Sequence, residues 1–233
     1  MTTTYSPEQV QTLFNRIAPV YDELNHRLSW GLHQVWKQMT VKWASPQPGE
    51  TALDVCCGSG DIALLLAKAV GQRGRVVGVD FAREQLAIAQ KRASQFPMIN
   101  CTWVEGNALE LPCEDNYFNC ATMGYGLRNV TDIPRSLQEL HRVLKPHAKA
   151  AILDFHHPTN SLMQQFQRWY LDTIVVPTAT EFNLKADYAY ISPSLDRFPT
   201  GQEQVKLGYQ AKFQHATHYS LAGGMMGVLL LTK

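Results

Sequence analysis

In this 233-residue chain, the residues able to do chemistry fall into three groups. The first is the stretch Leu53-Asp54-Val55-Cys56-Cys57-Gly58-Ser59-Gly60-Asp61-Ile62-Ala63, where Gly58, Gly60 and Ala63 meet the loose pattern G-x-G-x-x-A. Glycines there let the backbone close on a ligand, and unpaired amides at a helix start favour an anionic group. Asp80 follows about twenty residues on, where a carboxylate can accept hydrogen bonds from ribose hydroxyls. Turn and acid together point to a nucleoside ligand, and a nicotinamide or a methyl donor would satisfy them equally. The second group is the five cysteines. Cys56 and Cys57 are adjacent and lack metal or C-x-x-C redox spacing, and Cys101, Cys113 and Cys120 supply no second pair. Packing beside the turn is the expected role of the pair. The third is histidine. His156 and His157 sit at a strand end, where ligands bind in such sheets or where the strand simply stops. The pair His215-x-x-His218 would point to opposite faces of a strand, so no metal site is expected.

These residues need elements to position them. After Pro46 and Pro48, short β-rich runs alternate with helical ones, the pattern of a βαβ series on a parallel sheet. Strands are expected at Thr51–Val55, Arg75–Asp80, Asn100–Val104, Tyr117–Met123 and Ala148–Phe155, with helices at Ile62–Val70, Arg83–Phe96 and Ile133–Leu144. Before them, Ser6 can cap a helix with Val10, Leu13, Phe14, Ile17 and Ala18 on its apolar face. A second helix, His33–Trp43, should turn Val35, Trp36, Met39 and Trp43 to one side. A later one, Ser161–Ile174, groups Leu162, Met163, Phe166, Trp169, Tyr170 and Ile174. Ala211–Ser220 and Gly224–Thr232 read as a closing antiparallel pair.

The turn, Asp54 four residues before Gly58, Gly106-Asn107-Ala108, Leu111-Pro112 with Asp115-Asn116-x-Phe118, and Glu139-Leu140-x-Arg142-Val143-Leu144-Lys145-Pro146 together resemble the class I S-adenosylmethionine-dependent methyltransferases. Gly126-Leu127-Arg128-Asn129-Val130-Thr131-Asp132, with Phe14-Asn15-Arg16-Ile17-Ala18-x-x-Tyr21-Asp22, Asn25, Ser29, Gly31 and Trp36, resembles the ubiquinone/menaquinone biosynthesis C-methyltransferase family over nearly the whole chain. Asp154-Phe155-His156-His157-Pro158 and the length are most similar to the cyanobacterial branch acting on 2-phytyl-1,4-naphthoquinone. The resemblance implies an α/β Rossmann-like fold: a mostly parallel seven-stranded sheet with an antiparallel C-terminal strand and an N-terminal helical cap. One domain is expected, with cap 1–45, cofactor core 46–156, and substrate-side helices and closing strands 157–233.

The implied reaction is C-methylation of a prenylated demethyl-naphthoquinol by S-adenosylmethionine, yielding S-adenosylhomocysteine and, for the 2-phytyl substrate, phylloquinol. Demethylmenaquinol or a benzoquinol is the alternative acceptor, and a non-catalytic S-adenosylmethionine-binding module the second alternative. The implied cofactor residues are Asp54, Gly58, Ser59, Gly60, Asp80, Asn107, Ala108 and Gly124. Arg128, Asn129 and Tyr21 are the candidate acceptor-side residues, with Arg128 either stabilising a phenolate or forming a structural ion pair. Relatives carry Gly-Gly where this chain has His147-Ala148, so mild strain is expected at His147.

With 21 basic and 20 acidic residues the net charge is +1, which gives no overall attraction for nucleic acid. No signal peptide or membrane-length apolar run is evident, and reduced thiols in a cytoplasmic setting are expected. The partner expected is a lipid-soluble quinol, which leaves room for transient contact at a membrane surface and for a homodimer.

Overall fold

A computed structural model describes residues 7–18, 20–180 and 191–233, apart from the side chains of residues 7, 21, 22, 25, 176, 179, 191 and 192. The expected Ser6 cap and the side chain of Tyr21 therefore lie outside the described residues.

Seven strands form one sheet: β1 Thr51–Val55, β2 Arg75–Asp80, β3 Cys101–Glu105, β4 Phe118–Gly124, β5 Leu144–Phe155, β6 His215–Leu221 and β7 Met226–Thr232. Their order is β3-β2-β1-β4-β5-β7-β6. The first five are parallel, and β7 enters antiparallel between β5 and β6. The central strands are apolar on both faces, as burial between helices requires. Leu53, Val55, Val77, Val79, Ala121 and Met123 pack with Leu137, Leu140 and Val143 on one side, while Ala52, Val76 and Cys120 meet Ile62, Leu66 and Val70 on the other. The helices that matter for the site are α1 Pro7–Ile17, α2 Tyr21–Ser29, α3 Leu32–Ala44, α4 Asp61–Val70, α5 Arg83–Ala93, α6 Ile133–Val143 and α7 Ser161–Tyr170. Among the described residues no helix is long and apolar enough to cross a membrane.

Four expectations need correction. The first concerns α3, which buries His33, Lys37, Thr40, Val41 and Ala44, whereas Val35 is 49% exposed. The ion pair Lys37–Asp61, with Nζ 2.5 Å from the carboxylate, turns the helix off its most apolar face. The second is α7, which buries Gln167 and leaves Leu162, Phe166 and Trp169 exposed. Gln167 donates to the His156 carbonyl at 2.9 Å, and past Tyr170 the chain widens into a π-turn over Leu171–Val175.

The third correction is to the closing hairpin, whose first strand starts at His215 and not at Ala211, because Ala211 caps a helix over Gly201–Gln210. The signal was present: Thr200 and Glu203 form a reciprocal capping box. The fourth is β5, which begins four residues before the expected Ala148. It runs on through His147, whose amide donates to the Lys233 carbonyl at 2.8 Å although φ is +65°.

The strain expected at His147 is thus present in the backbone. A left-handed conformation costs an L-residue more than glycine's extra unfolded-state entropy. His147→Gly is therefore expected to raise stability by about 0.5–1 kcal/mol, read as an increased urea midpoint at unchanged m-value.

Candidate functional site

Two cavities open at the carboxyl ends of the parallel strands, where such sheets place ligands. The first, about 100 Å³, is walled by Gly58, Asp80, Gln85, Asn107, Ala108, Gly124 and Asn129, with Val10 and Phe14 of α1 above. The second, about 300 Å³, is apolar and lies under the cap, between α1, α2, α3 and α7. Its polar lining includes Ser29, His33, Arg128 and Gln167. Phe14 and Tyr125 line both, so they form the shared wall.

In the first cavity Asp80 is the organising group. Its two carboxylate oxygens accept from the Gly58 amide at 2.8 Å and the Ala82 amide at 2.9 Å. Burial pushes its carboxyl above the usual range, and those amides oppose the shift. Gly58 has φ +51° and Gly60 +86°. A Cβ at Gly60 would stand 2.8 Å from the Trp103 ring, which also lies against Gly78 of β2, so two glycines make room for one indole. Ser59 and Gly60 are not in the cavity wall. The Ser59 side chain and carbonyl instead accept from Arg92 Nη1 at 3.1 Å, which ties the turn to α5.

Asp54 is behind the wall, fully buried. Its Oδ1 accepts from the Thr122 hydroxyl at 2.7 Å, and Oδ2 is left without a partner. Burial pushes its pKa to about 7, against the opposing Thr122 hydroxyl and Ala63 amide. Asn107 Oδ1 accepts from the Leu109 amide at 2.9 Å, fixing the side chain at the cavity wall. Cys56 lines the cavity at φ +54°, and burial first, then the Asp80 and Asp54 charges, holds both turn thiols far above their usual range. All five cysteines are free, so packing is the role the geometry gives Cys56 and Cys57.

The expected acceptor pair is divided between the cavities. Arg128 lines the second. Its backbone amide donates to Asp154 Oδ2 at 3.0 Å, Nη1 donates to the Tyr125 carbonyl at 3.0 Å, and the ion pair to Asp154 spans 3.6 Å. The guanidinium lies 5.2 Å from the Phe155 ring, and its Nε is buried without a partner. Arg128 is therefore both a structural ion pair and part of the cavity wall. Asn129 faces the first cavity; its Nδ2 donates to the Tyr125 carbonyl at 2.8 Å and its Oδ1 is unpartnered.

The histidines at the strand end are not brought to the site. His156 is buried against His218, with ring centroids 4.4 Å apart, and His157 Nε2 bonds the Leu195 carbonyl at 2.6 Å. Neither lines either of the two cavities, because α7 and the helix over Ile191–Asp196 cover that strand end. His33 and Lys37 escaped the sequence reading, since the expected face of α3 pointed elsewhere. His33 lines the second cavity with Nδ1 2.6 Å from Ser29 Oγ. Burial, and next the Lys37 charge, lower its pKa to about 4, so the ring is neutral near pH 7.

The model of the ubiE/COQ5 methyltransferase family matches residues 2–233. A 2-phytyl-1,4-naphtoquinone methyltransferase of Nostoc sp. (strain PCC 7120) is 61% identical over 226 residues, 97% of this chain and 99% of that protein. The protein so named in Synechocystis sp. (strain PCC 6803) is 56% identical over 227 residues, 97% of this chain and 95% of that one. The chloroplastic 2-phytyl-1,4-beta-naphthoquinone methyltransferase of Arabidopsis thaliana is 47% identical over 225 residues, 95% of this chain and 86% of that one. Among solved structures, a SAM-dependent methyltransferase from Aquifex aeolicus superposes with TM-score 0.62 at 18% identity, covering 84% of this chain and 88% of the other. The Haemonchus contortus phospholethanolamine N-methyltransferase 2 gives 0.63 at 16%, covering 85% and 52%. Those two establish the shared fold.

His33 and His156 share an acid-sensitive property. Burial, followed by the neighbouring Lys37 charge at His33 and His218 at His156, lowers each pKa to about 4 from an unfolded value of 6.5. Between those values the unfolded chain binds more protons, so the stability they contribute is present above pH 6.5 and is lost as pH falls toward 4. His156→Asn removes one such group, and the drop in melting temperature between pH 7 and pH 4.5 should shrink. An unchanged drop would show that burial of His156 carries no acid penalty.

Proposed function

The chain belongs to the ubiE/COQ5 methyltransferase family, and from that premise we propose that it C-methylates a prenylated demethyl-naphthoquinol, 2-phytyl-1,4-naphthoquinol, to phylloquinol. The methyl donor is S-adenosylmethionine, which supplies an electrophilic methyl on a sulfonium. The observation that carries the reading is the pair of cavities sharing the Phe14–Tyr125 wall, one with Asp80, Gln85, Asn107 and Asn129 in its lining and the other almost wholly apolar.

The first cavity fits the donor. Asp80 has lone pairs left for ribose hydroxyls after accepting its two amides. Gln85 Oε1 and Asn129 Oδ1, both in the wall, are buried acceptors without partners. A ligand carrying N–H groups, as an adenine amine and an amino-acid ammonium do, would satisfy them, and an apolar ligand would not. The apolar cavity suits a ring and the start of its prenyl tail.

A ring carbon becomes nucleophilic when the adjacent hydroxyl loses its proton, so the reduced quinol is the reactive form. Attack forms the C–C bond and breaks the S–CH3 bond. The ring C–H proton then restores the hydroxyl, and one proton leaves overall. Arg128 supports this chemistry by offering its unpaired Nε–H and fixed positive charge to the phenolate, with no change of its own protonation. The wall residues Phe14 and Tyr125 keep water from the reacting atoms and align ring with methyl. The partner molecule in this reading is the lipid-soluble quinol, with no role for nucleic acid.

The decisive test incubates the protein with labelled S-adenosylmethionine and matched demethyl naphthoquinols and benzoquinols, each oxidised and reduced. Label should enter the reduced naphthoquinol; transfer to the oxidised form alone would overturn the quinol chemistry, and preference for benzoquinol would overturn the acceptor. Arg128→Ala should leave cofactor affinity intact and lower kcat by about 10²-fold. Circular dichroism serves as the control, because the change strands Asp154. Asp80→Ala should abolish cofactor binding in calorimetry, since it removes both the ribose acceptor and the bond that holds the Gly58 turn.

A further inference from the structure

Apolar surface continues outward from the mouth of the second cavity. Trp30, Leu32 and Phe166 line that cavity and are nonetheless 89%, 50% and 43% exposed. On α7 the exposed side chains Leu162, Phe166 and Trp169 follow i, i+4, i+7 spacing, so they form one stripe. Val35 extends Leu32 by one turn of α3 in the same way. Trp30 occupies the left-handed C-cap of α2 at φ +51°, a position that ordinarily falls to glycine. These side chains are the reverse of what α3 and α7 would do if their apolar faces served only the core.

The charge of the flanking segments is one-sided. No Asp or Glu occurs between Glu23 and Glu50, nor between Asp154 and Asp172. Arg27, Lys42 and Arg168 are exposed on those stretches, Arg27 sharing its charge with Glu23 at 2.6 Å.

We propose that this face docks on an anionic lipid bilayer, with Trp30 and the Leu162–Trp169 stripe at headgroup level and the cavity mouth facing the acyl chains. The proposal rests on the reading of the second cavity as the seat of a prenylated quinol. Tryptophan is favoured at the lipid–water boundary, and acid-free basic flanks are drawn to anionic headgroups. A second copy of the chain fits less well. A stable protein interface takes about 800 Å² and 20–30 residues per partner. The exposed group here is six side chains, and a copy seated on them would close the mouth through which the tail enters.

Leu162 and Trp169 do not line the cavity, so the double variant Leu162→Ser/Trp169→Ser tests the face while leaving every lining residue in place. Cosedimentation uses vesicles of phosphatidylglycerol with phosphatidylcholine and vesicles of phosphatidylcholine alone. The parent should bind the anionic vesicles more strongly. The double variant should bind them about tenfold or more weakly while methylating a tail-less naphthoquinol in solution at the parental rate. Equal binding of parent and variant, or no binding of the parent to either vesicle, overturns the proposal. So does a dimer in sedimentation equilibrium that the variant dissolves, which would assign the face to a second copy. If the variant loses vesicle binding but no naphthoquinol is methylated by either protein, the docking face stands and the acceptor reading falls.

Discussion

The Asp80 carboxylate is the interaction on which the site depends. It ends β2 and accepts the amides of Gly58 and Ala82, and so joins the turn after β1 to the start of α5. Burying it is costly, and two backbone donors offset part of that cost. Once the turn is held there, Gly58 and Gly60 must take left-handed backbone angles, and Trp103 can close over Gly60 and Gly78. The first cavity is the space this arrangement leaves at the strand ends.

A second constraint seats the cap. Lys37 of α3 is buried beside Asp61, the first residue of α4, and Arg92 of α5 bonds the same carboxylate. Burial works to raise the Asp61 pKa, but Lys37 and Arg92 outweigh it and keep the group ionised. One carboxylate shared by two cations thus fixes three helices, and the geometry justifies the desolvation that a buried ion pair entails. It also rotates α3, turning His33 and Trp36 into the second cavity and Val35 outward. The boundary between the two cavities then falls at Phe14 and Tyr125, one residue from α1 of the cap and one just past the end of β4.

The structural contacts of Arg128 are compatible with the charge-stabilising role proposed for it. Its ion pair with Asp154, its bond to the Tyr125 carbonyl and its stacking on Phe155 fix the guanidinium in place. A cation held this way is preorganised, and its Nε remains without a protein partner. The sequence offered salt bridge and charge stabiliser as alternatives; the geometry allows both.

Much of this was legible in the chain. Alternating apolar runs set the five parallel strands to within a residue at most ends, because β1, β2 and β4 are buried on both faces and their composition says so, while β3 at the sheet edge is only partly buried. Gly58, Gly60 and Asp80 could be named from spacing, since a turn that closes on a ligand has few residue solutions, whereas Asn107 came only from the family resemblance. What stayed hidden depends on partners distant in sequence. Lys37 reads as a surface residue until Asp61 appears opposite it, Gln167 as a polar filler until the His156 carbonyl claims it, and His156 as a site histidine until α7 covers it. Helical periodicity ranks faces by hydropathy alone. A single buried ion pair or hydrogen bond outweighs that ranking, so only the tertiary structure decided which faces of α3 and α7 turn inward and which remain exposed.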